Sequence, residues 1–453
     1  MLLCVAFVSG GSSQEDNAGM LIARLLAMPV LLFALWEAQR RGVLGQSRLS
    51  LAAFAFVFSI PLMQLLPLPE WLWVSAPARQ LLQHDLAEAG VSNIQYRWSL
   101  SPAATERDVL SLLPAAALFV AAITLGAEAH RRLYWLVMAL AFFSVVLAVA
   151  QMGAGQDSIL NLYPQWVPAM GGIFANPNHQ AATVAIALVL AISMLLDARS
   201  RARRGERVRA LVWIFSALIV AFVLIVPMIG SRAGPILSIV SAATVALCSG
   251  VIPAERVREH RSTQLILCLA AAVLLVGIYA AFNWTTGAKI DVMRSTLTRQ
   301  TVSIGNAHAP LGGGFGAFVP LFDQGVDDSL LGGEYINNAH NEYVQLWLEG
   351  GAVALAGMVT VFTWLAFSFR RLLSLNPKSS SRKRGVAAAT AMLVIIFHSW
   401  VDYPLRAPAL MAVFALLAGV LAGSVAMGKM ASSATHAAQG DRLSSRVKAS
   451  SQA

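Results

Sequence analysis

Residues 337–351 read NNAHNEYVQLWLEGG and stand just before one of the longest apolar stretches of the chain. A histidine in such a position can accept a proton from a hydroxyl group. If the helix already runs at His340, the imidazole shares a face with Tyr343, Val344 and Trp347 and stands above an aromatic platform where the apolar segment meets water. The same residues also fit an interfacial histidine in an aromatic belt, with Asn341 as a helix cap. Glu349 weighs against that simpler reading, because a carboxylate two turns inside an apolar segment is costly unless it lines a cavity or has a partner.

Four other stretches carry residue types able to do chemistry. In MIGSRAGPILS (228–238) two apolar segments meet with almost no loop, and Arg232 either snorkels to water or aims its planar donors at an anion such as phosphate. In 293–318, Arg294 and Arg299 precede APLGGGFGAF; the glycines lack the GK[ST] ending of a nucleotide loop, and they allow a tight turn or a close backbone approach to a ligand. The two arginines could equally solvate this loop, and His308 reads as a surface histidine. In GGIFANPNHQ (171–180), Asn176 and Asn178 around Pro177 form a turn that caps a helix beginning near 179, where His179 starts the helix. In HSWVDYPLR (398–406), His398 and Asp402 are spaced i, i+4, so the carboxylate can orient the imidazole; no third ligand for a metal is evident.

The elements that must position these groups are membrane helices. With 453 residues, 57% hydrophobic and 12% charged, and a mean hydropathy of +0.65, the chain has too few polar groups to cover a water-soluble globule of its size. Eleven segments reach the roughly 20 apolar residues that cross a bilayer: near 17–37, 49–66, 109–126, 133–152, 174–197, 210–229, 232–251, 264–283, 343–369, 385–401 and 407–427. Residues 1–9 resemble half of a twelfth, so the expected fold is all-α, a polytopic integral membrane protein of about 11–12 helices. The three cysteines, Cys4, Cys248 and Cys268, fall inside apolar runs and form neither a disulfide framework nor a thiol metal site.

Charge sets the orientation. Of the 33 Lys and Arg, 24 fall in the loops 38–48, 127–132, 198–209, 250–263 and 370–384 and in the tail after 428, which places that side in the cytoplasm. The net charge of +10 is thereby a membrane signature and not a nucleic-acid footprint. The long loops 67–108 and 284–342 then lie outside, far longer than joining two helices requires, and loops of that kind carry function. The chain divides into an N-terminal membrane bundle (1–283), a large periplasmic loop (284–342), C-terminal membrane helices (343–427) and a Ser/Ala-rich cytoplasmic tail (428–453) expected to be disordered.

In order and placement, QLLPLPEWLW (64–73), RWSLSPAATERDVL (97–110), GGIFANPNHQA (171–181), GSRAG (230–234), APLGGGFGAF (309–318), AHNEYVQLWLEGG (339–351) and HSWVDYPLR (398–406) resemble the O-antigen ligase and polymerase superfamily of bacterial polytopic glycosyltransferases. The resemblance implies transfer of a preassembled glycan from an undecaprenyl-diphosphate carrier to an acceptor hydroxyl, on the periplasmic face of the inner membrane and without a cofactor or a required metal. It implies His340 as the base and Arg232, Arg294 and Arg299 as the groups that hold the diphosphate, with Asn341, Glu349 and Asn178 completing the substrate site. It leaves open a ligase acting on lipid A core, a polymerase, and a relative that glycosylates protein or builds exopolysaccharide. A secondary transporter is the rival of another class and would show Gly/Pro-broken helices in two related halves with midplane ionisable groups; a structural membrane protein is a third.

Overall fold

Ten of the eleven predicted spans are helices in the computed structural model, which describes residues 1–13, 17–91, 93–154, 158–163, 170–249, 287–326, 336–377 and 379–450, with backbone alone for 287–291 and 431–450. In chain order they are α1 (Leu2–Ser9), α2 (Ala18–Arg40), α3 (Val43–Gln46), α4 (Arg48–Met63), α5 (Glu70–Trp73), α6 (Pro77–Glu88), α7 (Pro102–Ser111), α8 (Leu113–Thr124) and α9 (Ala127–Ala154). They continue with α10 (Pro177–Arg203), α11 (Arg209–Ile225), α12 (Ala233–Cys248), α13 (Gly287–Ala307), α14 (Phe318–Gly325), α15 (Glu342–Leu373), α16 (Ser380–His398) and α17 (Pro408–Ser450). Among the described residues seven helical stretches are long and apolar enough to cross a membrane, and α4 and α12 are shorter apolar helices. The chain is an all-α polytopic membrane protein. The span expected at 264–283 lies outside the described residues.

Two expectations change. The run expected to start at 109 is helical from Pro102 and breaks at Leu112, where Pro114 removes a backbone donor. The tail expected to be disordered continues α17 to Ser450, in keeping with the helix propensity of its alanines.

Packing follows the sequence pattern. Ala23, Ala27, Ala34 and Ala38 recur on one face of α2 and are buried, so that α2 lies closely along α8. The opposite side of α2 exposes Leu25, Leu32, Phe33 and Trp36, as a lipid-facing surface does. α10 is enclosed by α9, α11, α12 and α16 and is buried over most of its length.

The two long loops are bolted to each other. Buried Arg79 donates from Nη2 to the carbonyl of Gly312 at 2.7 Å and also to that of Trp98. Trp98 Nε1 donates to Leu311 O at 2.8 Å, and Leu100 N to Gly313 O at 2.8 Å. Burial draws the Arg79 pKa down to about 10, which still leaves a cation at neutral pH.

The Gly-rich loop then completes α15. At Gly351 the helix is interrupted, with φ 55° and ψ −146°. Gly313 N donates to Leu348 O at 2.8 Å and Gly314 N to Glu349 O at 2.7 Å, while Ala352 N donates to Pro310 O at 2.9 Å. Backbone groups released by the break are thus satisfied by the loop, as an apolar surrounding demands. The close approach that Gly312 permits is to the backbone of α15 at Glu349 and Gly351.

Candidate active site

Asp402 lies in the turn between α16 and a short 3-10 helix, Pro404–Arg406, and is wholly buried. Asn178 Nδ2 donates to its Oδ2 at 2.6 Å, Asn176 Nδ2 to both oxygens at 3.2 and 3.0 Å, and Tyr403 N to Oδ1 at 3.0 Å. His340 Nδ1 stands 3.3 Å from Oδ1. Burial alone raises the pKa of such a carboxyl, but the contact with His340 and the neighbouring imidazoles His179 and His398 outweigh it, and the pKa is held well below the ordinary carboxylate range. The amide donors act in the same sense, so Asp402 is an anion.

His340 is not on the helix. α15 begins at Glu342, with Asn341 as its N-cap: Oδ1 accepts from Tyr343 N at 3.1 Å and Val344 N at 3.3 Å. His340 precedes the cap with φ 50°, a left-handed conformation that costs a non-glycine residue about 1–2 kcal/mol. Its ring meets Tyr403 edge to face at 4.9 Å between centroids, so Tyr403 replaces the expected platform of Tyr343 and Trp347. Tyr343 instead donates to Ile396 O, and Trp347 Nε1 to Asn306 Oδ1 at 2.9 Å.

Gln345 holds the strained segment from beneath. Its Oε1 accepts from Ala339 N at 3.0 Å, and its Nε2 donates to Asn338 Oδ1 at 3.0 Å and to Glu349 Oε1 at 3.3 Å. Glu349 has the partner its depth requires, since Arg406 Nη1 lies 2.6 Å from Oε2 and Arg406 Nε lies 2.8 Å from Glu342 Oε1. Burial lowers the Arg406 pKa, but Glu349, Glu342 and Asp108 more than reverse this and raise it above its ordinary value. Two carboxylates thus balance its charge, while its Nη2 has no hydrogen-bond partner among the described residues.

Beside this network lies a cavity of about 750 Å³. Arg24, Arg107, Asp108, Glu342, Glu349 and Arg406 form its polar wall, and Phe54, Phe58, Val361 and Phe362 contribute apolar surface. It reaches Asn338, two residues before His340, and Ser399, three before Asp402, but neither His340 nor Asp402 lines it.

The residues singled out from sequence fall into three groups. His340, Asn178 and Asp402 converge, and here Asp402 faces His340; its link to His398 is from backbone N to O, at 3.0 Å. Asn341 and Glu349 serve the loop and helix around that pair. Of the arginines, Arg294 is half-buried on α13 and close enough to act electrostatically on Tyr403, Arg299 is exposed on the same helix, and Arg232 is half-buried at the N-terminus of α12. Asn176, rather than Asn178, caps α10, which begins at Pro177. His179 is buried edge to face against Tyr403, and His308 is buried with Nδ1 2.9 Å from Ile304 O, not at the surface. Sequence reasoning missed the parts of Gln345 and Arg406. Glu342 and Glu349 lie seven residues apart on one face of an apolar helix, and that pairing could have called for a nearby cation. Among the described residues no group of three or more His, Cys, Asp or Glu side chains is placed to hold a metal ion.

The fold and site together define a polytopic membrane protein in which a partly exposed histidine meets a buried carboxylate near a cavity that is polar on one side and apolar on the other. Residues 169–359 match the family model described as O-Antigen ligase. The matched range holds His340, Asn178, Glu349 and all three singled-out arginines, Arg232, Arg294 and Arg299. No curated protein matches the chain.

Proposed function

We propose that this protein is a glycosyltransferase of the O-antigen ligase type, moving a preassembled glycan from undecaprenyl diphosphate to an acceptor hydroxyl, such as one on lipid A core, at the periplasmic face of the inner membrane. The observation that carries this reading is the pairing of His340, which lies inside the family-matched segment, with Asp402. With Nδ1 turned to an ionised, amide-held carboxylate, the ring presents Nε2 as the proton acceptor. The side chain of His340 is 28% exposed, enough to be reached, whereas Asp402 is sealed.

In the proposed step Nε2 of His340 takes the acceptor hydroxyl proton while that oxygen attacks the anomeric carbon from the face opposite the diphosphate. The new C–O bond forms with inversion, and the old bond breaks with its electron pair leaving on the diphosphate. Asp402 stabilises the imidazolium that forms. Arg294, with Arg232 and Arg299, supplies positive charge for the leaving group. The amphipathic cavity suits a lipid-linked donor, whose tail stays in the bilayer while its head group reaches the polar wall.

The test is reconstitution of the purified full chain with lipid-linked glycan and candidate acceptors. A mass-shifted acceptor supports the reading, and movement of substrate across the bilayer without covalent change contradicts it. In cells lacking the gene, polymer accumulating on its lipid carrier indicates a ligase, whereas single repeat units on lipid A indicate a polymerase.

A further inference from the structure

At the Arg-rich ends of α10 and α11, Arg199, Ala202 and Arg203 share one face of the first helix, and Arg209, Val212 and Trp213 share one face of the second. These two i, i+3, i+4 faces enclose a hollow of about 290 Å³. The adjacent arginines are already used: Arg201 Nε lies 2.6 Å from Glu206 Oε2, and Arg204 Nη2 lies 3.3 Å from Glu206 Oε1. Among the described residues no carboxylate pairs with Arg199, Arg203 or Arg209. Three guanidinium groups around one hollow repel each other, and an anion seated between them removes that cost.

We propose that this hollow binds the phosphate head group of an anionic phospholipid. The occupant follows from what surrounds the charges. Trp213 is 77% exposed and Ile214 44%, next to an apolar floor of Ala202 and Val212. A tryptophan so exposed at the end of a span lies where head groups give way to acyl chains. The site therefore offers donors for phosphate oxygens and, one turn along α11, apolar surface for the attached chains. A soluble anion would use the arginines and leave Trp213 unexplained.

The test uses the full-length protein in neutral detergent, equilibrated with equal phosphatidylglycerol and phosphatidylcholine, with bound lipid counted by native mass spectrometry. The expected result is a preference of roughly tenfold or more for phosphatidylglycerol, falling as ionic strength rises. Arg199→Gln/Arg203→Gln/Arg209→Gln should abolish the preference, while Arg370→Gln/Arg371→Gln, which removes two cations at the end of α15, should keep it. Trp213→Ala, which leaves the charges intact, should weaken it, and this variant decides the matter if the triple variant does not fold. Equal uptake of both lipids by the unaltered protein, or displacement of phosphatidylglycerol by millimolar inorganic phosphate, would overturn the proposal.

Discussion

Asp402 and His340 lie 3.3 Å apart, the first fully buried and the second partly exposed. This asymmetry separates their roles, because a sealed carboxylate with amide donors on both oxygens cannot meet substrate and can only orient and charge-balance the ring beside it. His340→Ala is expected to lower transfer roughly 10²- to 10⁴-fold, the range of a lost general base. Asp402→Asn should lower kcat by a comparable factor with little change in donor KM. Single-turnover assays in proteoliposomes measure both, and near-normal transfer by either folded variant would remove the pair from the mechanism.

Gln345 ties the left-handed segment at His340 to the Glu349–Arg406 pair through one buried amide. Gln345→Leu keeps the volume but releases Ala339 N and Asn338. Misplacing a reacting group by about 1 Å costs on the order of 10²-fold in rate, so kcat should fall 10- to 100-fold while donor binding persists. The leucine variant should also unfold at lower temperature, since an unsatisfied buried polar group costs about 1–3 kcal/mol. A variant with reduced stability and full kcat would show Gln345 to be structural only.

Seven of the eleven expected spans were legible from apolar length alone, and so was the demand that Glu349 find a partner. The identity of that partner was not, because Arg406 lies beyond a whole further span, and only the turn after α16 brings it back to α15. The placement of His340 was misread for a local reason: a helical wheel carried one turn too far puts it on Tyr343 and Trp347, whereas Asn341 caps the helix and turns the chain before it. The spacing of His398 and Asp402 suggested an i, i+4 pair, yet the carboxylate is claimed by Asn176, Asn178 and His340 from other elements. Side-chain chemistry was thus readable, and long-range partnership was not.

Gly351 joins the Gly-rich loop to α15 at a backbone conformation open to glycine. A Cβ there would sit 2.2 Å from Pro310 O and 2.7 Å from Gly312 N. Gly351→Ala must therefore push the loop off the helix and strand the carbonyls of Leu348 and Glu349. A loss of roughly 3 kcal/mol or more is expected from strain and unsatisfied backbone groups together, visible as a lowered thermal midpoint and poor recovery in detergent. Gly45, where an added Cβ meets nothing within 4 Å, is the control, and Gly45→Ala should be close to neutral.

His308 gives a pH dependence of defined sign. Burial, aided by the nearby charge of Arg79 and opposed by the bond to Ile304 O, lowers its folded pKa below the ordinary histidine value near 6.5. Above that pH both folded and unfolded forms are neutral and the residue adds no pH dependence. As the pH falls through about 6.5 the unfolded chain takes a proton that the folded one refuses, so stability declines until the folded pKa is reached. His308→Phe removes this titration and the bond to Ile304 O, at a cost of about 1 kcal/mol. Near pH 8 the variant should melt below the unaltered protein, and toward pH 5.5 the gap should narrow or reverse. Thermal midpoints followed by tryptophan fluorescence across that range test it, and a gap that stays constant would mean that His308 titrates alike in both states.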